Sequence, residues 1–170
     1  MGPWLSPEDL DLVRRKVPML YVDAIPARVD AHGDLEAVGL LLRATDEGTI
    51  SRALVSGRVL LHETIREALE RHLEKDLGPM ALPRLPISLH PFAVGEYFPT
   101  PGSPFHDPRQ HAVSLAYVVP VAGDCRPSHD TLELTWLTAA EAQTPEILGD
   151  MIEGHATLLR QALAHLGRLR

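Results

Sequence analysis

A chain of 170 residues and 18.7 kDa suits one well-buried domain, 1–170, and is short for two. Its formal net charge is −7 and it has no block of basic residues, which argues against nucleic-acid duplexes and anionic membranes as partners. A small phosphorylated, nucleotide-like ligand stays open, because that needs only a local group of arginines. Cys125 is the sole cysteine, so no intrachain disulfide forms. The Met1–Pro3 start leads into neither a basic segment nor an apolar core, and no apolar run reaches the roughly 20 residues of a membrane span. A cytoplasmic location is expected.

In chain order, Ser6-Pro7-Glu8-Asp9 gives a capping hydroxyl, a proline at the first helical position and first-turn acids. The helix they open is expected over about 7–16, with Pro18 closing it. Met19 to Val29 reads as a strand, Asp30 to Gly33 as a turn and Leu35 to Arg43 as a second strand, the two pairing as a hairpin. Asp46-Glu47-Gly48 makes the next turn, and Ile50 to Val55 a third strand. A helix is expected from about Glu63 to Leu77, stopped by Gly78-Pro79. Strands follow at Pro91–Tyr97, His111–Val121 and Leu132–Trp136. Thr138-Ala-Ala-Glu141 is a capping box, and one long amphipathic helix is expected over about 145–167.

The most informative stretch is Gly57-Arg-Val-Leu-Leu-His-Glu63, then seven residues, then Arg71-His-Leu-Glu-Lys-Asp76-Leu-Gly78. Its spacing resembles the Nudix box. Gly57, Glu63, Arg71, Leu73 and Gly78 match that pattern, and Asp76 is a shortened acid at its last glutamate position. His72 and Lys75 stand where the family carries the other two glutamates, and Pro79 replaces an aliphatic residue. The order of strands, tryptophan and terminal helices is also similar to that family, and to an uncharacterised bacterial group within it.

The resemblance implies an α/β fold, an α/β/α sandwich around a mixed β-sheet, with the 57–78 loop and helix on one side and the terminal helix on the other. It implies hydrolysis of a nucleoside diphosphate linked to another moiety, with Mg²⁺ or Mn²⁺ lowering the pKa of the attacking water. Glu63, Arg71 and Asp76 are then the catalytic candidates, with Arg71 holding the loop through Glu63. Magnesium needs hard oxygen ligands. Positions 72, 75 and 76 share a helix face in an ideal helix, so Lys75 places a positive charge where the cation should sit. A rewritten centre from His72 and Asp76, completed by His106-Asp107, His111 or Asp130 and with Glu63 able to approach the ion, is the metal alternative. Glu67, Glu70 and Glu74 read as a solvated stripe.

The segment from Glu96 to Gln110 carries four prolines and the flat rings of Tyr97, Phe98 and Phe105. Arg58, Phe98, His106 and Arg109 are the substrate-binding candidates, and packing in a homodimer is the competing use of the aromatic loop. Three functions stay open: an atypical Nudix pyrophosphohydrolase, a ligand-binding or regulatory module without hydrolysis, and an oligomerising structural protein.

Overall fold

The computed structural model describes residues 4–128 and 130–168; the Met1–Pro3 start lies outside them. Helix α1 (Pro7–Arg14) opens as the cap predicts, Ser6 accepting the Asp9 amide, and ends two residues before Lys16. Strand β1 (Met19–Val29) is the centre of a seven-stranded sheet. It runs antiparallel to β2 (Leu35–Ala44) and parallel to β6 (Ala112–Pro120), in register from Met19↔Ala112 to Ala27↔Pro120. Strand β5 (Ala93–Tyr97) adds antiparallel to β6, and β7 (Glu133–Leu137) to β2. The sheet is therefore mixed, as expected.

Both faces of β1 are covered, which is why so much of it is buried. Helix α2 (Ile65–Leu77) lays Ala68, Leu69, Leu73 and Leu77 on one face, against Val22, Ala24, Leu41 and Val55. Helix α5 (His155–His165) lays Leu158, Leu159, Ala162 and Leu163 on the other, against Ile25, Val38 and Leu40. Adjacent Leu40 and Leu41 serve opposite cores, as a two-residue period requires. Helix α2 is fixed at its start by a capping box the sequence reading passed over: Thr64 and Glu67 bond each other's backbone N–H reciprocally. No helix among the described residues is long and apolar enough to cross a membrane.

Two expected elements are each broken in two. The third strand divides into β3 (Ile50–Ala53), paired to β2, and β4 (Val55–Arg58), paired to β1. At the junction, the Leu54 N–H leaves the sheet and donates to His155 Nδ1 at 3.1 Å. The single helix expected over 145–167 is instead the short α4 (Pro145–Gly149) and α5, while α3 (Ala139–Ala142) fills the Thr138 capping box. Between α4 and α5 the chain straightens: the Arg52 N–H donates to the Asp150 carbonyl at 2.8 Å, and the Ile152 N–H to Arg52 at 2.9 Å. Gly154 then turns at φ 87°, a left-handed conformation no long helix contains. Apolar spacing stayed helical in phase across the break, so periodicity alone could not show it.

Candidate functional site: an arginine-locked helix and a polar cavity

The 58–63 loop is held from α2. Arg71 donates from Nε to Glu63 Oε1 at 2.6 Å and from Nη2 to Glu63 Oε2 at 2.8 Å, a two-point clamp. The same Nη2 reaches the Arg58 carbonyl at 2.9 Å, and Glu63 also accepts the Leu60 N–H at 2.9 Å. The Arg71 bonds, aided by Leu60, outweigh burial and hold the Glu63 carboxyl below its ordinary range. The Trp4 ring covers the Arg71 guanidinium, 5.3 Å from its centroid. Glu63 and Arg71 thus tie loop to helix. Of Arg58, the backbone carbonyl is what serves; its half-buried side chain does not line the cavity described below.

His72 and Asp76 sit one turn apart on the buried face of α2. His72 Nε2 lies 2.9 Å from the Arg58 carbonyl, and the ring occupies the space a side chain at position 57 would need: a Cβ there would stand 1.9 Å from Cε1. Burial pushes the imidazole pKa down, so the ring is neutral and donates Nε2–H to that carbonyl. Asp76, 1% exposed, pairs with Arg43 of β2, Nη2 to Oδ2 at 2.5 Å. Lys75 is exposed, beside Glu67, Glu70 and Glu74. The cation facing Asp76 is therefore Arg43, and the expectation that Lys75 supplies it is corrected. The real helix turns position 75 away because the buried stripe is centred on Leu69, Leu73 and Asp76.

The acids do not fit a magnesium centre. Glu63 is taken up by Arg71 and His72 by a backbone carbonyl; Asp76 is ion-paired to Arg43 through Oδ2, while its Oδ1 is buried without a hydrogen-bond partner among the described residues. Asp130 is exposed in the turn before β7, and His111 stacks on Phe98 with centroids 4.6 Å apart. Among the described residues no three His, Cys, Asp or Glu side chains converge on a common point suited to a metal. The expected set of Asp76, His72, Glu63 and Asp130 does not assemble.

A cavity of about 460 Å³ opens on the α5 side of the sheet, within the size range of small-molecule sites. Its floor is Asp23 of β1, Ser114 of β6 and His155 of α5; Arg43, Tyr97 and Arg109 stand around it. Ser114 donates its hydroxyl to Asp23 Oδ2 in a short contact. Because His155 Nδ1 accepts from Leu54, the neutral ring carries its proton on Nε2, which lies 3.5 Å from Asp23 Oδ1. Burial lowers the His155 pKa, Asp23 opposes that shift and Arg43 adds to it. The Tyr97 hydroxyl is pushed up by burial and by the nearby Asp23 charge. Asp23 Oδ1 and Tyr97 Oη are both buried without a hydrogen-bond partner among the described residues.

Two of the sequence candidates, His106 and Arg109, line this cavity. Arg109 is clamped to Asp107 by two 3.0 Å bonds, and His106 Nδ1 lies 3.6 Å from Glu153. Phe98, 38% exposed, lies outside it. Sequence reasoning missed Asp23, Ser114, His155 and Arg43. One signal was available: Asp23 is a lone acid within the otherwise apolar run Met19–Ile25.

Over residues 1–168 the sequence matches the family described as Domain of unknown function (DUF4916). A crystal structure from Jonesia denitrificans, described as a possible asymmetric diadenosine tetraphosphate (Ap4A) hydrolase, is 63% identical. The match spans 91% of this chain and 98% of that one, at TM-score 0.88. The Nudix domain of Shewanella oneidensis NrtR, solved with ADP-ribose, has TM-score 0.63 at 18% identity, over 95% of this chain and 94% of that one. A bifunctional NMN adenylyltransferase/ADP-ribose pyrophosphatase from Francisella tularensis, solved with AMP and a manganese ion, has TM-score 0.62 at 16% identity, over 94% of this chain and 47% of that one. No curated protein matches in sequence. The match over residues 1–168 places the chain in the DUF4916 family, and its mixed sheet and these structural neighbours give it the Nudix fold.

Proposed function

We propose that this protein is a ligand-binding Nudix module that takes an adenosine-phosphate compound in the Asp23–His155 cavity without metal-dependent hydrolysis at α2. The observation that carries the reading is the Arg43–Asp76 pair: the one acid kept on the buried helix face is neutralised internally at 2.5 Å. A divalent cation would have to displace a guanidinium from a carboxylate that water scarcely reaches. The ligand class rests on the Jonesia denitrificans relative, whose description names a compound with adenosine at both ends. Arg43 and Arg109, both on the cavity wall, are the cations that would face its phosphates.

A second reading, hydrolysis of such a compound, is favoured by the description of that same relative. The two separate in one experiment. ADP, ADP-ribose and Ap4A are titrated calorimetrically against metal-stripped protein, with and without Mg²⁺ or Mn²⁺, and the mixtures are then analysed for cleavage products. Binding of ADP unaffected by metal, with ADP-ribose and Ap4A intact, supports the module. Metal-dependent cleavage abolished by Asp76→Asn in a folded variant overturns it in favour of the hydrolase.

A further inference from the structure

Like Arg43 Nε and Nη2 on the same lining, Asp23 Oδ1 on the cavity floor and Tyr97 Oη on its wall have no hydrogen-bond partner among the described residues. Such atoms are rare in folded proteins and mark where something else completes the bonding. Both are held rigidly. Asp23, 2% exposed, has its Oδ2 occupied by Ser114, and the His155 Nε2–H at 3.5 Å is too far to satisfy Oδ1. Tyr97 is packed against Phe105, with centroids 5.2 Å apart, and against Gly154 at the start of α5. A Cβ at position 154 would stand 2.9 Å from the Tyr97 hydroxyl, so the glycine leaves that oxygen its place.

The surroundings narrow the ligand group. A cation would meet Arg43 and the positive end of α5, whose N-cap Gly154 has no side-chain cap. An anion would meet the Asp23 carboxylate. A neutral group is left, able to give one hydrogen bond to Oδ1 and to take one from the Tyr97 O–H. A stacked base fits poorly, because the Tyr97 ring is already packed on Phe105. A carboxylate accepting from a sugar hydroxyl is a recurrent way of holding ribose.

We propose that Asp23 and Tyr97 form a subsite for the vicinal diol of a ribose-type sugar, one hydroxyl donating to Asp23 Oδ1 and its neighbour accepting from Tyr97 Oη–H. Ser114 and His155 are the positioning residues that keep the carboxylate turned toward the cavity. The proposal rests on the adenosine-phosphate reading and specifies which part of the ligand reaches the floor.

The test compares ADP with 2′,3′-dideoxy-ADP, which has the same base and diphosphate and no diol, by calorimetry on the full chain. ADP is expected to bind about tenfold tighter. Tyr97→Phe, which removes one oxygen and keeps the ring packing, is expected to reduce that preference by the part owed to the Tyr97 bond, roughly threefold; an undiminished preference in the variant overturns the role of Tyr97 in the subsite. Equal affinity of the wild-type protein for the two nucleotides overturns the diol subsite while leaving the adenosine-phosphate reading intact. Binding of neither overturns both. The wild-type comparison needs no variant to fold.

Discussion

Arg43 on β2 and Asp76 on α2 meet at 2.5 Å across the gap between sheet and helix, the arginine 23% exposed and the aspartate 1%. The pair joins the box helix to the cavity wall, since Arg43 also lines the cavity and adds to the downward shift of His155.

Breaking that pair from one side should be costly. Asp76→Leu leaves the guanidinium without its counter-charge, and a loss of about 3 kcal/mol in urea unfolding is expected. Combining it with Arg43→Met should recover most of that loss, giving a large coupling in the double-mutant cycle. Additive losses in the cycle would show that the two side chains do not depend on each other.

Restoring glutamate at both altered box positions should not create a magnesium centre. His72→Glu with Lys75→Glu adds one carboxylate pressed beneath Gly57 and one in solvent, while Arg43 still holds Asp76. Isothermal titration with Mg²⁺ is expected to show no saturable site. A stoichiometric site in the double variant would mean that Arg43 yields to the ion.

Gly57 and His72 should behave as one packing unit. Gly57→Ala places a methyl where the imidazole stands, and a cost of about 2 kcal/mol is expected. In a His72→Ala background the same substitution should cost close to nothing, because the space is then open. A full cost in both backgrounds, measured by denaturant titration, would locate the strain in the backbone of β4 instead.

Acid should destabilise the fold through its neutral buried histidines. Burial holds His155 below its ordinary 6.5 in the native state, although Asp23 opposes this. As pH falls through 6.5, the unfolded chain therefore takes up the proton first, and stability declines until the native value is passed. His72 shifts in the same direction, and Glu63, with an ordinary value of 4.5, loses its contribution only at lower pH. The melting temperature should drop between about pH 7.5 and about pH 5.5, and His155→Asn, which retains an acceptor for Leu54, should lessen that drop. An unchanged slope in the variant would show that other groups carry the effect.

The sheet and the first helices were legible because local chemistry and tertiary placement agree there. Ser6 and Thr138 cap as read, and β1 has the bounds its apolar run predicts. The clamp of Arg71 on Glu63 was legible too, through the resemblance. Arg43 was not, since nothing local distinguishes an arginine at the end of a strand from a surface one. The cavity floor was hidden for a related reason: Asp23, Ser114 and His155 lie on three separate elements, and their meeting follows from the parallel β1–β6 register and the docking of α5. The helix break at Asp150–Gly154 was hidden because the residues that pull the chain straight, around Arg52, lie far upstream.

The bond from the Leu54 amide to His155 has a bearing on how the molecule comes into being. Helix α5 follows every strand among the described residues, so the strands can pair before it has docked. Until then the Leu54 N–H lacks the acceptor that keeps β3 and β4 apart, and the cavity lacks one wall. A partly folded chain can therefore hold much of its hydrophobic interior and still be unable to receive a ligand, competence arriving only as α5 docks.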